Sequence, residues 1–391
     1  MATTGSTSSG TMDRILRLMA EKRASDVYLS VHSPALIRIN GLCVPINSQV
    51  LPADAPLNLL REILPQERIE ELQELNELNM GWSMAGVGRF RISAMRQRGS
   101  IAAVIRYITN EIPPLSSLSL PLSLANLMLE KRGLVLMVGA TGAGKSTTLA
   151  SMIDHRNANA SGHILTIEDP IEFLFKNKRS VVNQREVGTD TQSTQLALKN
   201  ALRQAPDVIF IGEIRDRDTM TSAIAYAQTG HLCLATMHAN NSYHALNRIL
   251  SFYPVEVRPT MLGDLASALK AVVSQRLLRT IAETRTPAVE IMMNTKLVGE
   301  MIDKGDFSGI LDAMEKSIVE GSQTFEQDIA RLITAGIVDR KEGLANADSP
   351  TNLMWRLQND FAAQSKRLPV QSVPESDDQA TFTEITLDVN H

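Results

Sequence analysis

The 391-residue sequence has few cysteines, few aromatic residues, no excess of positive charge and no long apolar run. Its two cysteines, Cys43 and Cys233, are too few for a four-cysteine zinc site and indicate small buried side chains in a reducing compartment. The net charge of −4, together with the lack of a basic stretch with interleaved aromatics, argues against a nucleic-acid-binding protein. No apolar run reaches the ~18 residues of a membrane span, and no charged-then-apolar leader opens the chain. We therefore expect a cytoplasmic protein that meets any membrane machine as a peripheral partner.

The remaining composition is that of a globular protein, with 43% hydrophobic and 21% charged residues. Residues 1–11 are small and polar, and residues 364–391 are acidic with little apolar content, so both ends are predicted to be disordered. Residues 111–122 contain three prolines and are predicted to be a linker. This linker would join an N-terminal domain, residues 12–110, to a larger domain, residues 123–363.

Hydrophobic periodicity predicts different architectures for the two domains. The N-terminal domain is predicted to mix helices with strands, and the larger one to alternate strands and helices around a parallel sheet. After Ala245 the pattern indicates helices, including one predicted over Thr260–Leu278 and another over Ser308–Ile333. The predicted fold class is therefore α/β with a helical C-terminal region.

One motif organises the larger domain. An apolar strand, Leu134–Val138, leads into a glycine-rich turn and a helix, and the turn matches G-x-x-x-x-G-K-[ST]. The backbone N–H groups of this turn form an anion-binding nest, to which the helix dipole contributes. The motif predicts that Lys145 reaches the outer phosphates of a nucleotide and that Ser146 ligates Mg²⁺. The predicted binding residues are Gly139, Ala140, Thr141, Gly142, Ala143, Gly144, Lys145, Ser146 and Thr147.

Polar residues also follow three other predicted strands of this domain, ending at Glu168, Glu213 and His238. Ligands of open parallel sheets lie beyond the carboxyl ends of the strands, so these residues should converge on the nucleotide. Asp207 precedes its strand, which places it about 20 Å from the phosphates. Glu213 is therefore predicted to be the ligand of Mg²⁺ or water that a P-loop enzyme requires.

The segment Glu168-Asp-Pro-Ile-Glu172 supplies three more carboxylates. We assign Glu172 as the general base or water-positioning group, with Glu168 or Asp169 in support. Helix capping or ordinary surface charge is the alternative for each acid. Two roles are possible for His231: it senses the γ-phosphate, or it is a hydrogen-bonded structural residue.

The N-terminal domain carries five arginines on two adjoining predicted strands. They either form a solvated face of the sheet or point at phosphate, and the residue pattern leaves both interpretations open. They are Arg89, Arg91, Arg96, Arg98 and Arg106.

Taken together, these motifs resemble those of the secretion ATPases of type II secretion and type IV pili. The likeness covers residues 12–360 and rests on a Walker A motif, an Asp box, an atypical Walker B motif and a His box. The corresponding segments are Gly139–Thr147, Leu165–Phe173, Pro206–Asp216 and Thr229–His238, with Val182–Val187 between the second and third.

The resemblance implies a hexameric ATPase with a PAS-like N-terminal domain and a RecA-like P-loop core. It also implies that Arg91 and Arg106 of the N-terminal domain reach the ATP, with Arg89, Arg96 and Arg98 as weaker candidates. Members of this family dock on the cytoplasmic face of an inner-membrane platform protein, which is PilC in pilus systems.

Within this family the chain is similar to the retraction branch of PilT and PilU, because it lacks a tetracysteine insertion and a large additional N-terminal domain. The segments Gln204–Pro206, Met237–Asn241 and Ala347–Pro350 resemble the PilU subfamily. The segment Leu297–Lys304 lacks the two arginines of a PilT motif, which implies a motor that works alongside a PilT-like motor.

Three other functions are alternatives to pilus retraction. The first is an extension or type II secretion motor of the same family. The second is an adaptor that uses ATP only to assemble rings and recruit a partner motor, although the presence of Glu172 and Glu213 argues against it. The third is a nucleic-acid translocase on the same core, which the net negative charge disfavours.

Overall fold

The computed structural model describes residues 10–39, 41–108, 111–317 and 321–365. The predicted disorder of residues 1–11 and 364–391 falls almost wholly outside these ranges. Within them, two β-sheets and their helices form two layered units joined by residues 111–122, which include a 3₁₀ turn at Leu115–Ser117.

The first unit is a six-stranded antiparallel sheet in the order β3-β2-β1-β6-β5-β4. Helix α1 packs on it because Met12, Leu16 and Met19 recur at helical spacing and are fully buried. The strands are β1 (Asp26–Leu29), β2 (Pro34–Ile39), β3 (Leu42–Val50), β4 (Glu77–Met84), β5 (Gly88–Gln97) and β6 (Ser100–Ile108). The helices are α1 (Thr11–Glu21), α2 (Ala55–Arg61) and α3 (Gln66–Leu75).

Strand β5 shows how this sheet separates its core from its functional face. Phe90 and Ile92 are fully buried in the core, whereas Arg89 and Arg91 alternate with them and face the other way. The predicted arginine-rich strands are therefore present, and Arg89, Arg91 and Arg106 lie on the face opposite the hydrophobic core. Arg96 lies near the end of β5, and Arg98 is in the turn that follows it.

The second unit is a seven-stranded sheet in the order β13-β12-β7-β11-β10-β8-β9. All its neighbouring pairs are parallel except β12 with β13. Strand β7 lies inside the sheet, and all its residues are buried, as expected of a strand covered on both faces. The strands are β7 (Gly133–Val138), β8 (Gly162–Glu168), β9 (Ser180–Glu186), β10 (Val208–Ile211), β11 (Leu232–Met237), β12 (Leu269–Arg279) and β13 (Arg285–Met293).

Helices cover both faces of this sheet and continue into the C-terminal region. The parallel-rich core, the smaller α+β unit before it and the helical end confirm the predicted fold class. The helices are α4 (Ser123–Met128), α5 (Lys145–Asn159), α6 (Thr194–Ala201), α7 (Arg217–Gln228), α8 (Ser242–Ser251), α9 (Arg258–Ala268), α10 (Lys296–Lys304), α11 (Ile310–Glu315), α12 (Phe325–Thr334), α13 (Arg340–Asn346) and α14 (Pro350–Ser365). None of the helices in the described residues is long and apolar enough to cross a bilayer.

Of the two cysteines predicted to be buried, Cys233 is buried in β11, but Cys43 is exposed because it lies on β3, an edge strand that is exposed along most of its length.

Two predicted helices are wrong. The helix predicted over Thr260–Leu278 ends at Ala268, and the remainder is strand β12. Its run of apolar residues is buried on both sides of the sheet, and such a run has no period that separates a strand from a buried helix. The helix predicted over Ser308–Ile333 is two helices, α11 and α12, separated by a segment whose residues 318–320 lie outside the described ranges.

Candidate functional site

The glycine-rich loop lies where the motif predicts, between the end of β7 at Val138 and the start of α5 at Lys145. Gly139 and Gly144 have φ values of 154° and 85°. A Cβ atom at Gly139 would lie 2.6 Å from the Gln275 carbonyl oxygen, and one at Gly144 would lie 2.7 Å from Gln275 Nε2. Both positions therefore require glycine, and the loop has the tight backbone of a phosphate-binding nest.

Gln275 of strand β12 stabilises this loop through two side-chain hydrogen bonds. Its Nε2 donates to the Ala143 carbonyl oxygen at 2.8 Å, and its Oε1 accepts from the Thr148 hydroxyl at 2.8 Å. The side chain is buried, so these two bonds satisfy the polar atoms of its amide that would otherwise be desolvated. Our sequence interpretation missed Gln275 because it assigned this segment to a helix. The available signal is a pair of polar residues, Ser274 and Gln275, directly after the apolar run Ala271–Val273.

A cleft of about 470 Å³ opens beside the loop at the carboxyl ends of the parallel strands. The elements that meet there are the glycine-rich loop, the ends of β8, β10 and β11, and one arginine of the N-terminal domain. The predicted residues that line it are Thr141, Gly142, Lys145, Ser146, Glu168, Asp169, Glu172, Glu213, His238 and Arg91.

Lys145 is the cationic centre of this cleft. Its Nζ donates to the carbonyl oxygens of Gly139 and Ala140 at 2.7 Å and 2.9 Å. Burial lowers the pKa of its ammonium group, and the carboxylates of Glu213 and Glu172 oppose that effect. Both predicted acids therefore lie close enough to Lys145 to interact with its charge.

Glu213 is held in place by two basic side chains. One carboxylate oxygen accepts from Arg215 Nη2 at 2.7 Å, and the other lies 3.2 Å from His238 Nε2. Ser146 lines the same cleft. Mg²⁺ in phosphoryl-transfer sites uses one or two protein oxygen ligands with phosphates and waters, so a hydroxyl and a carboxylate fit it. The chemistry of the donor set is therefore suited to Mg²⁺.

Glu168 and Glu172 share a loop but differ in environment. Glu168 is buried at the end of β8 and accepts from the Thr166 hydroxyl at 2.6 Å and from Gln184 Nε2 at 3.2 Å. Desolvation raises the pKa of its carboxyl group to about 7, although these hydrogen bonds favour the ionised form. Glu172 is exposed and lines the cleft, so its carboxylate can reach a water molecule there.

Two residues lie at the opposite, amino edge of the sheet. Asp207 precedes β10, as predicted, and accepts from the His163 backbone N–H at 2.8 Å. His231 precedes β11, its backbone carbonyl accepts from the Gly133 N–H, and its Nδ1 lies 3.2 Å from the Tyr226 carbonyl oxygen. Because β11 runs parallel to β7, the whole length of the strand separates His231 from the loop. This position supports the structural alternative over γ-phosphate sensing within one chain.

The five arginines predicted on the two adjoining strands of the N-terminal domain have different surroundings. Arg91 lines the cleft, but its cross-strand neighbour Arg106 does not and instead pairs with the buried Asp26 at 2.8 Å. Arg89 forms a buried ion pair with Glu186 of strand β9. Arg96 donates to Asn76 Oδ1 at 2.6 Å near the end of β5, and both Arg96 and Arg98 are exposed and lie outside the cleft lining. Of this set, the structure brings Arg91 to the site.

Comparisons with known proteins identify the family to which this chain belongs. A family model for type II/IV secretion system proteins matches residues 77–316. The chain is 44% identical over 342 residues to the type IV pilus ATPase PilU of Pseudomonas aeruginosa, covering 87% of this chain and 90% of PilU. It is 34% identical over 338 residues to the retraction ATPase PilT of the same organism, covering 86% of this chain and 98% of PilT.

The fold is similar to a crystal structure of the pilus retraction motor PilT with bound ADP. The TM-score is 0.81 at 36% identity, over 87% of this chain and 99% of the other. The identity to PilU exceeds that to PilT, in line with the motif resemblance. The chain therefore belongs to the type II/IV secretion system protein family and is a nucleotide-binding ATPase of the branch that contains PilT and PilU.

Proposed function

We propose that this ATPase drives retraction of a type IV pilus, in the manner of PilU and alongside a PilT-like motor. The observation that carries the proposal is a single cleft in which Lys145, the acids of two strand ends and Arg91 of the other domain meet. The relatives named above supply the pilus context.

Each residue has a proposed role in the hydrolysis of ATP. Ser146 and Glu213 hold Mg²⁺, which when bound neutralises charge on the outer phosphates. Lys145 and Arg91 place positive charge against the transferring phosphoryl group. Glu172 orients the attacking water from its exposed position on the cleft wall.

The N-terminal domain has a mechanical role in this proposal. Because Arg91 belongs to one domain and Lys145 to the other, the state of the nucleotide sets how strongly the two domains attract each other. The proline-rich linker, residues 111–122, absorbs the resulting change in domain orientation. In a homo-hexamer docked on a PilC-like platform protein at the cytoplasmic side of the inner membrane, this motion would act on the pilus.

The test combines purified protein with a deletion strain. The purified chain should release phosphate from ATP, and cells lacking it should keep their pili but lose twitching, or become hyperpiliated. Cells without pili would instead identify an extension motor. Ring assembly without phosphate release would identify an adaptor. Twitching should be compared with and without the PilT-like motor, since a PilU-like motor acts only beside it.

A further inference from the structure

A buried carboxylate joins the two domains next to the cleft. Glu186 ends strand β9, and its side chain is only 4% exposed. From the N-terminal domain it pairs with the Arg89 guanidinium and accepts from the Gly81 backbone N–H at 3.3 Å. From its own domain it accepts from the Thr189 hydroxyl at 3.2 Å and from the Ile171 backbone N–H at 3.0 Å.

These contacts reach two residues of the proposed mechanism. Ile171 directly precedes Glu172, so its N–H fixes the backbone from which the water-positioning carboxylate extends. Arg89 lies two residues before Arg91 on β5, and alternate residues of a strand point to the same side. One oxygen of Glu186, Oε2, contacts both Ile171 N and Arg89, so the two halves of the site share one anchor.

We propose that Glu186 and Arg89 form a clasp that orders the Glu172 loop only when the N-terminal domain is docked. Glu186 is then a positioning residue that makes the arrival of Arg91 and the alignment of Glu172 a single event. The clasp rests on the roles proposed above for Glu172 and Arg91.

The electrostatics of the pair support such coupling. The Arg89 side chain is 11% exposed, and its Nε is buried without a hydrogen-bond partner within the described part of the chain. Removing one partner of a buried ion pair leaves an uncompensated charge, which is strongly unfavourable. When the N-terminal domain moves away, Glu186 must turn toward water to be solvated, and its bond to the Ile171 N–H is lost. Domain docking and loop order therefore belong to the same state.

A second contact across the same boundary provides a matched control. Arg68 of α3 donates from Nη2 to the Gly188 carbonyl oxygen at 2.9 Å. It joins the same two domains, and within the described residues it forms no hydrogen bond or ion pair with Glu186 or with the Glu172 loop. Arg68→Ala therefore removes one exposed hydrogen bond across the boundary and leaves the anchor of the loop in place.

The experiment compares Arg89→Ala, Glu186→Gln and Arg68→Ala for kcat, KM, ADP affinity and amide hydrogen exchange in residues 168–173. We expect the first two variants to lose about 10- to 100-fold in kcat, because the water-positioning group is misplaced. ADP affinity should stay within about threefold of the parent because the glycine-rich loop is intact. Exchange in residues 168–173 should accelerate in both, and Arg68→Ala should change neither exchange nor kcat by more than about threefold.

Coupling to Glu172 separates the clasp from a general loss of structure. In a Glu172→Gln background, adding Arg89→Ala should cause little further loss, and the pair Arg89→Ala with Glu186→Gln should be no slower than the slower single variant. Arg89→Lys keeps the charge and should recover part of the rate.

Three outcomes would overturn the clasp. The first is unchanged amide exchange in residues 168–173 of the Arg89→Ala and Glu186→Gln variants. The second is a loss of kcat in Arg68→Ala equal to theirs, and the third is a loss of kcat that is fully additive with that of Glu172→Gln. If Glu172→Gln itself keeps the parental rate, the proposed role of Glu172 fails. The exchange measurement then decides separately whether Glu186 and Arg89 order the loop.

Discussion

The two edges of the ATPase sheet carry the same kinds of side chain and use them differently. At the amino edge, Asp207 accepts from the His163 backbone N–H, and His231 lies against the Tyr226 carbonyl. At the carboxyl edge, Glu213 and His238 lie 3.2 Å apart and both line an open cleft. The amino-edge acid and histidine stabilise local backbone, whereas the carboxyl-edge pair is available to a ligand.

The comparison shows that residue type is a weak guide to function here, and that position along a parallel strand is a strong one. The parallel strands of this core all end at the same edge of the sheet. The residues that follow these strands therefore lie together at that edge. Substitutions at the two edges should therefore show whether ATP hydrolysis depends on the position of a residue along its strand or on its type.

The largest expected effect is a contrast in turnover between the edges. Lys145→Ala and Glu213→Ala should abolish measurable ATP hydrolysis, with kcat reduced at least about 1,000-fold. In the proposed mechanism Lys145 places positive charge against the phosphates, and Glu213 holds the Mg²⁺ that neutralises them. The amino-edge counterparts, Asp207→Ala and His231→Ala, should keep kcat within about threefold and lose about 1 kcal/mol of unfolding free energy. Steady-state phosphate release and urea unfolding measure both quantities. Parental turnover in Glu213→Ala would refute its assignment, and a large kcat loss in His231→Ala would restore its catalytic role.

The second prediction concerns Gln275, which supports the loop from strand β12. Gln275→Ala leaves the Ala143 carbonyl and the Thr148 hydroxyl without their partner, which should cost about 2–4 kcal/mol of unfolding free energy. Because the loop then loses its support, ADP affinity should fall about tenfold. Calorimetric titration with ADP and urea unfolding provide the readouts.

Ser274→Ala is the matched control for Gln275. Ser274 is the preceding buried residue of β12, and its hydroxyl donates to Glu290 at 3.1 Å. Ser274→Ala should therefore lower the free energy of unfolding without changing the affinity for ADP. Equal loss of affinity in both variants would mean that β12 supports the loop only through general packing.

Much of the site could be predicted because its signals are local in sequence. The glycine-rich loop, the segment Glu168–Glu172 and Glu213 each follow an apolar strand directly, and the topology of parallel sheets brings such ends together. What could not be predicted depends on contacts distant along the chain. Arg91 and Arg106 are equivalent by pattern, and only the pairing of Arg106 with Asp26 distinguishes them.

The same reason explains the residues that were missed. Gln275 lies more than 120 residues after the loop it supports, directly after a short apolar run, Ala271–Val273, whose period does not identify a strand. Glu186 lies in a segment that carried the family resemblance, yet its partner Arg89 is in the other domain. Residues that connect distant elements are identified from tertiary contacts, because residue type alone does not indicate such a role.

The smallest expected effect is a change in how stability depends on pH. It distinguishes two acids, Glu168 and Glu172, of one loop at the carboxyl edge. Burial raises the pKa of Glu168 from 4.5 to about 7, so the folded state keeps this proton while the unfolded state releases it. Stability from this group is complete below pH 4.5 and is lost as the pH rises through about 7, by up to about 3 kcal/mol. Glu168→Gln keeps an oxygen that can accept from Thr166 and Gln184 and removes the ionisation. It should therefore be more stable than the parent at pH 8, with the advantage disappearing toward pH 5.

Glu172→Gln is the control on the same loop, since its exposed side chain buries no carboxyl group. Its unfolding free energy should follow that of the parent from pH 5 to pH 8, whereas its phosphate release should fall. Chemical unfolding at several pH values measures the first quantity. If Glu168→Gln and the parent lose stability equally between pH 5 and pH 8, then Glu168 ionises inside the fold without penalty. The carboxyl edge would in that case be more hydrated than its burial indicates, and Glu168 would join Glu172 as a charged acid facing the cleft.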